Sequence, residues 1–133
     1  MELKERFLKY VAINTRSDEN SETFPSTAAE WDLLNALVEE MKLLGLEDVS
    51  IDKYGYAMGT IPATKGKEGA PVIGFLAHVD TSPDMSGENV RPRIIESYDG
   101  KDIVLNNALT MKVADFPELT KFIGHTLKAK KEE

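Results

Sequence analysis

Residues 71–84 read PVIGFLAHVDTSPD, and the fold class turns on how this stretch is interpreted. Val72, Ile73, Phe75, Leu76 and Ala77 form a near-continuous apolar run. That is the pattern of a strand covered on both faces of a sheet. Side chains alternate along a strand, so His78 and Asp80 point the same way if strand geometry persists that far. Thr81, Ser82 and Pro83 then end it as turn formers. The reading predicts an imidazole and a carboxylate at the carboxyl edge of a buried strand, where open α/β folds keep their sites.

Upstream of this run the chain predicts two helices. Over residues 2–14, Leu3, Phe7, Leu8, Val11 and Ala12 share one face, with Glu2, Lys4, Glu5 and Lys9 mostly elsewhere. Residues 15–26, TRSDENSETFPS, form a polar loop, read as a solvated connection rather than a pocket border. Thr27 followed by Glu30 has the spacing of a capping box. Trp31, Leu34, Leu37, Val38, Met41 and Leu44 then recur at helical spacing, with Gly45 as a stop. Trp31 and Met41 share this stripe with the leucines, which makes them core residues rather than ligand contacts.

Val49 and Ile51 predict a short strand, and a turn over residues 52–55 leads to a partner with Tyr56, Met58, Thr60 and Ile61. ATKGKEGA at 63–70 is a connection into the apolar run. Beyond the H-x-D turn, residues 90–98 predict an edge strand, Asp99-Gly100 a turn, and Ile103–Leu105 another short strand. Residues 106–122 support no assignment, 123–127 predict a last strand, and KAKKEE at 128–133 an exposed charged tail. The fold class is therefore α/β or α+β: a mixed sheet preceded by two helices, in one domain over 1–127 followed by the tail.

Bulk properties narrow the function. The chain has 133 residues, 41% hydrophobic and 29% charged, with a net charge of -7. Such an acidic chain without a basic stripe suits neither nucleic acid nor an anionic membrane surface as a partner. It has no cysteine, which excludes disulfides, a thiolate nucleophile and a cysteine zinc site. The opening residues lack a signal-peptide core, and no apolar run approaches the ~18 residues of a membrane span. A cytoplasmic protein is the expectation.

His78 and Asp80 carry the chemistry. A metal-binding imidazole must be neutral and held at a fixed angle, and a nearby carboxylate commonly does the holding. H-x-D spacing by itself is weak, because a single histidine closing an apolar strand is more often structural. The buried strand, its carboxyl edge and the abrupt polar turn raise the metal reading.

AHVDTSPD at 77–84 resembles the first metal-ligand motif of the M20 family of zinc metallopeptidases, in particular its tripeptide aminopeptidases. LKERFLKYVAINTRSD (3–18) resembles their opening helix and loop. The segment from PSTAAEWDLL to MGTIPA (25–63) resembles their second helix and hairpin, and SGENVRPRIIESYDGKDIVLN (86–106) the stretch after the motif. The resemblance runs over roughly residues 3–127. It implies the N-terminal portion of a zinc-peptidase catalytic domain, with His78 as a zinc ligand and Asp80 as the aspartate supporting the ligand shell. The implied reaction releases the N-terminal residue of a short peptide. A pair of zinc ions activates a shared water there, and a glutamate serves as general base.

The family's pattern is not met in full. A Gly-Ala-Asp-Asp stretch with a bridging aspartate, a Glu-Glu pair, a further aspartate and a final histidine have no counterpart here. Gly124-His125-Thr126-Leu127 is followed directly by KAKKEE. His125 does not occupy a ligand position of the motif. Glu39-Glu40 falls on the outer side of the second helix and Glu132-Glu133 in the tail, so neither pair substitutes. A catalytic zinc takes three protein ligands plus water, which predicts negligible peptidase activity for this chain alone, and self-association through uncovered apolar surface. The alternatives are a non-catalytic relative acting as a small binding or structural domain, and a split enzyme completed by another polypeptide.

Overall fold

The computed structural model describes residues 2–106 and 108–131. It resolves into two compact units, residues 13–87 and residues 1–12 with 88–133. Each is built from helix and small antiparallel sheets.

The unit of residues 13–87 is organised by helix α2, Glu30–Leu43. Its apolar stripe buries Leu33, Leu34 and Val38. The helix packs against a hairpin of β1, Glu47–Ile51, and β2, Ala57–Thr60. The strands run antiparallel, with Ile51 opposite Ala57, as the sequence predicts. Gly45 closes α2 at φ +79, a conformation that suits glycine. Its N–H donates to Lys42 O and that of Leu46 to Met41 O, the paired bonds of a Schellman motif. In the hairpin turn, Asp52 Oδ1 accepts from the Tyr54 and Tyr56 N–H groups, each at 2.9 Å. Gly55 there has φ +84, and a Cβ on it would stand 2.7 Å from Pro25 Cγ.

The run at 71–78 departs from expectation. It forms no strand among the described residues and is exposed throughout. Val72, Phe75 and Leu76 are 99%, 94% and 97% accessible. The mixed sheet is likewise replaced, among the described residues, by three separate two-stranded antiparallel sheets. The physical reason is pairing. A strand buried on both faces needs neighbours on both edges and a layer on each face. The other strands here are short and already matched to one another in antiparallel pairs. Burial in α2 extends further than the stripe predicts: Glu40, expected on the outer side, is buried, whereas Glu39 is exposed and pairs with Lys42 at 2.7 Å.

The other unit holds α1, Leu3–Val11, which is shorter than the predicted helix. Glu2 and Glu5 form a reciprocal capping box at its start. None of its residues is buried, and Phe7 lies under the Lys128 ammonium, 4.5 Å from the ring centroid. Strand β3, Arg91–Ile95, pairs antiparallel with β6, Leu127–Lys131. The last strand thus starts at Leu127 rather than ending there, so residues 128–131 are a sheet edge and not a free tail. Glu132 and Glu133 lie outside the described residues. Between β3 and β6 come β4, Ile103–Val104, paired with β5, Thr110–Met111, and a 3-10 helix, Pro117–Phe122; β5 and the 3-10 helix fall in the stretch 106–122, which carries no assignment from sequence. Tyr98 and Ile103 are the buried apolar residues. The Tyr98 N–H donates to His125 O and its hydroxyl to Lys101 O.

Candidate functional site

His78 and Asp80 stand together at the end of the exposed run. The His78 Nδ1 lies 2.9 Å from Asp80 Oδ1. A carboxylate only accepts, so this contact places a proton on Nδ1, and in the neutral ring that leaves the lone pair on Nε2. The imidazole is 83% accessible and the carboxylate 44%. An ion pair this exposed adds little to stability. Its consequence is orientation: Nε2 is held away from Asp80, toward solvent.

The turn that follows is fastened to the loop of residues 14–27. Arg16 and Thr81 form a parallel bridge. The Thr81 N–H donates to Thr15 O at 2.9 Å, and Thr81 O accepts from Ser17 N at 3.0 Å and from Ser17 Oγ at 2.8 Å. The Arg16 guanidinium donates from Nε and Nη2 to Pro83 O, and its backbone N–H donates to Asn14 Oδ1. Within the turn, Ser82 Oγ donates to Asp84 Oδ2 at 2.7 Å.

The loop is in turn fixed to the start of α2. Buried Glu30 accepts at Oε1 from Ser26 Oγ at 2.7 Å and from the Thr27 N–H at 3.0 Å. That is half of the expected capping box. The Thr27 hydroxyl supplies no cap to the helix and instead reaches Arg16 O at 3.0 Å. Sequence reasoning treated these residues as a solvated connection. Only the density of short hydroxyl side chains around one arginine hinted at a folded loop.

His125 belongs to the other unit, where its ring packs edge-on to Phe122 at 6.3 Å between centroids. Among the described residues no group of three or more His, Asp or Glu side chains is placed to hold a metal ion. The donor set therefore fits part of a zinc site, one oriented imidazole with its carboxylate, and does not fit a complete one. That unit also carries an open cleft lined by Ile94, Tyr98, Asp99, Lys101 and Asp102, where Lys101 is already paired with Asp99 at 2.8 Å. No helix among the described residues is long and apolar enough to cross a membrane.

Comparison with known proteins finds bacterial relatives over nearly the whole chain. The similarity is to peptidase T and covers nearly the whole chain. Peptidase T of Geobacillus sp. (strain WCH70) is 54% identical over 128 residues, which is 95% of this chain and 31% of that relative. Peptidase T of Geobacillus kaustophilus (strain HTA426) is 55% identical and that of Bacillus subtilis (strain 168) 53%, with the same coverage. The part of the resemblance that concerns peptidase T thus holds, and the chain spans 31% of the length of these curated relatives. No protein-family model matches the sequence.

Proposed function

We propose that this chain is the N-terminal part of a zinc-dependent tripeptide aminopeptidase of the M20 type, acting in the cytoplasm on short peptides. The observation that carries it is the His78–Asp80 contact at 2.9 Å, in a chain 50–55% identical to proteins named Peptidase T. In this reading His78 Nε2 is a zinc ligand and Asp80 keeps the ring in the tautomer that leaves Nε2 free. Zinc, when bound, would supply Lewis acidity and an activated water. The described residues contribute one metal donor and its orientation, and the remaining donors come from outside them. By itself the chain is catalytically incomplete. The same reading extends to the apolar run: side chains meant for a sheet interior are uncovered, and they drive self-association at high concentration.

A second reading is a non-catalytic relative that persists as a small binding or structural domain. The incomplete donor set among the described residues favours it. Co-expression separates the two. The chain is produced with the part of the Geobacillus kaustophilus relative outside the matched segment, and tripeptide hydrolysis is assayed with zinc. The aminopeptidase reading expects turnover only when both polypeptides are present, abolished by His78→Ala. Robust turnover by the chain alone, or complementation indifferent to His78→Ala, contradicts it.

A further inference from the structure

We propose that Arg16 is a positioning residue for the His78–Asp80 pair, acting through the turn at residues 81–83. The proposal rests on the reading of His78 and Asp80 given above for its functional meaning, and on geometry alone for its structural content.

The apolar run before His78 has no strand partners among the described residues, so no sheet ladder on that side fixes the direction in which the pair points. Orientation must come from the residues that follow. Immediately after Asp80, Thr81 is held at both its N–H and its C=O by the backbone of Thr15 and Ser17. Two backbone bonds to one residue fix the peptide planes on either side of it, and one of these is the Asp80–Thr81 plane. Two residues further on, Arg16 converges two guanidinium donors on the single carbonyl of Pro83. Charge-assisted donors in a fixed fork hold a carbonyl more firmly than a neutral donor does.

The bracing loop is itself anchored. Thr15 is buried, Arg16 O receives the Thr27 hydroxyl, and Thr27 is held by buried Glu30 at the first turn of α2. A connected path of hydrogen bonds thus runs from the packed helix to the turn beside Asp80. Arg16 brings a charged donor to the turn at Pro83 O, and the loss of its fork loosens the 81–83 segment while leaving Leu33, Leu34 and Val38 packed. With the turn released, Asp80 no longer faces Nδ1 and the imidazole reverts to the Nε2–H tautomer usual for a free ring, which blocks the nitrogen assigned to metal.

The test uses the full chain, labelled with nitrogen-15, at mildly alkaline pH and low protein concentration. Long-range proton–nitrogen spectra report the His78 tautomer, and amide exchange reports Thr81 and α2. In the parent chain, His78 is expected as the Nδ1–H form. In Arg16→Ala its ring nitrogens move to free-histidine values and Thr81 exchanges about tenfold faster, with α2 unchanged. Arg16→Lys restores the signature only in part, since an ammonium lacks the fork. Should Arg16→Ala also loosen α2, Arg16→Lys decides by the same readouts. An unchanged His78 tautomer and unchanged Thr81 exchange in the variants, with α2 intact, overturn the proposal. Titration with zinc of the parent chain co-produced with the complementing part of the Geobacillus kaustophilus relative keeps the two readings apart. If Nε2 does not respond while Arg16→Ala still shifts the tautomer, the brace stands and the metal reading fails.

Discussion

Two apolar stretches in residues 13–87 meet opposite fates. Along α2, Leu33, Leu34 and Val38 are buried against a hairpin formed by the residues immediately after the helix. Along 72–77 a run of comparable hydrophobicity stands in solvent. The difference lies in what each demands of its surroundings. An amphipathic helix satisfies its own backbone and needs one covering surface, which β1 and β2 supply from close in sequence. A strand meant for a sheet interior needs ladders on both edges and layers on both faces. Hydrophobicity creates the demand for burial, and topology decides whether it is met.

The contrast makes quantitative predictions. Leu34→Ala removes a fully packed side chain and is expected to destabilise the 13–87 unit by about 2–4 kcal/mol, measured by urea denaturation. Leu76→Ala, the same change in the exposed run, should stay within about 0.5 kcal/mol. Equal losses at the two positions would mean that the run is buried in solution.

Gly55→Ala comes next. It forces a side chain into a positive-φ position facing Pro25 Cγ at 2.7 Å, and should cost about 1–3 kcal/mol. Gly74→Ala, which meets nothing within 4 Å, should cost far less.

In the other unit, burial holds the Tyr98 phenol above its ordinary value of 10.0, with the Asp99 and Asp102 carboxylates adding to the effect. The unfolded phenol therefore loses its proton first. Stability is intact below that value and falls as pH rises from it through the higher folded-state value. Tyr98→Phe should flatten this alkaline loss while giving up the bond to Lys101 O. The smallest effect on stability is expected from Leu76→Asp, which should nevertheless lower the apparent mass in light scattering if the exposed run drives association.

Much of the local structure was legible in the sequence. The α2 stripe, its glycine stop and the hairpin after it depend on interactions a few residues apart, which periodicity and turn chemistry encode. The H-x-D pair was legible as well, because a spacing of two also brings side chains together at the end of an extended run. The fate of residues 71–78 was not, since it depends on partners the run itself does not specify. The bracing loop escaped notice for a related reason. Arg16 acts on Pro83, 67 positions away, and no pattern local to either residue announces that contact. The burial of Glu40 is not legible because a helical stripe gives only the mean direction of burial.

Amide hydrogen exchange across residues 33–38 and 72–77, at the lowest protein concentration the measurement allows, tests most directly whether these two stretches differ as described. The amides of Leu33–Val38 should be strongly protected, and those of Val72–Ala77 should exchange near the rate of an unstructured chain. Comparable protection of both in the monomer would contradict the exposed placement of the run, and with it the view that His78 and Asp80 are oriented from the 81–83 side alone.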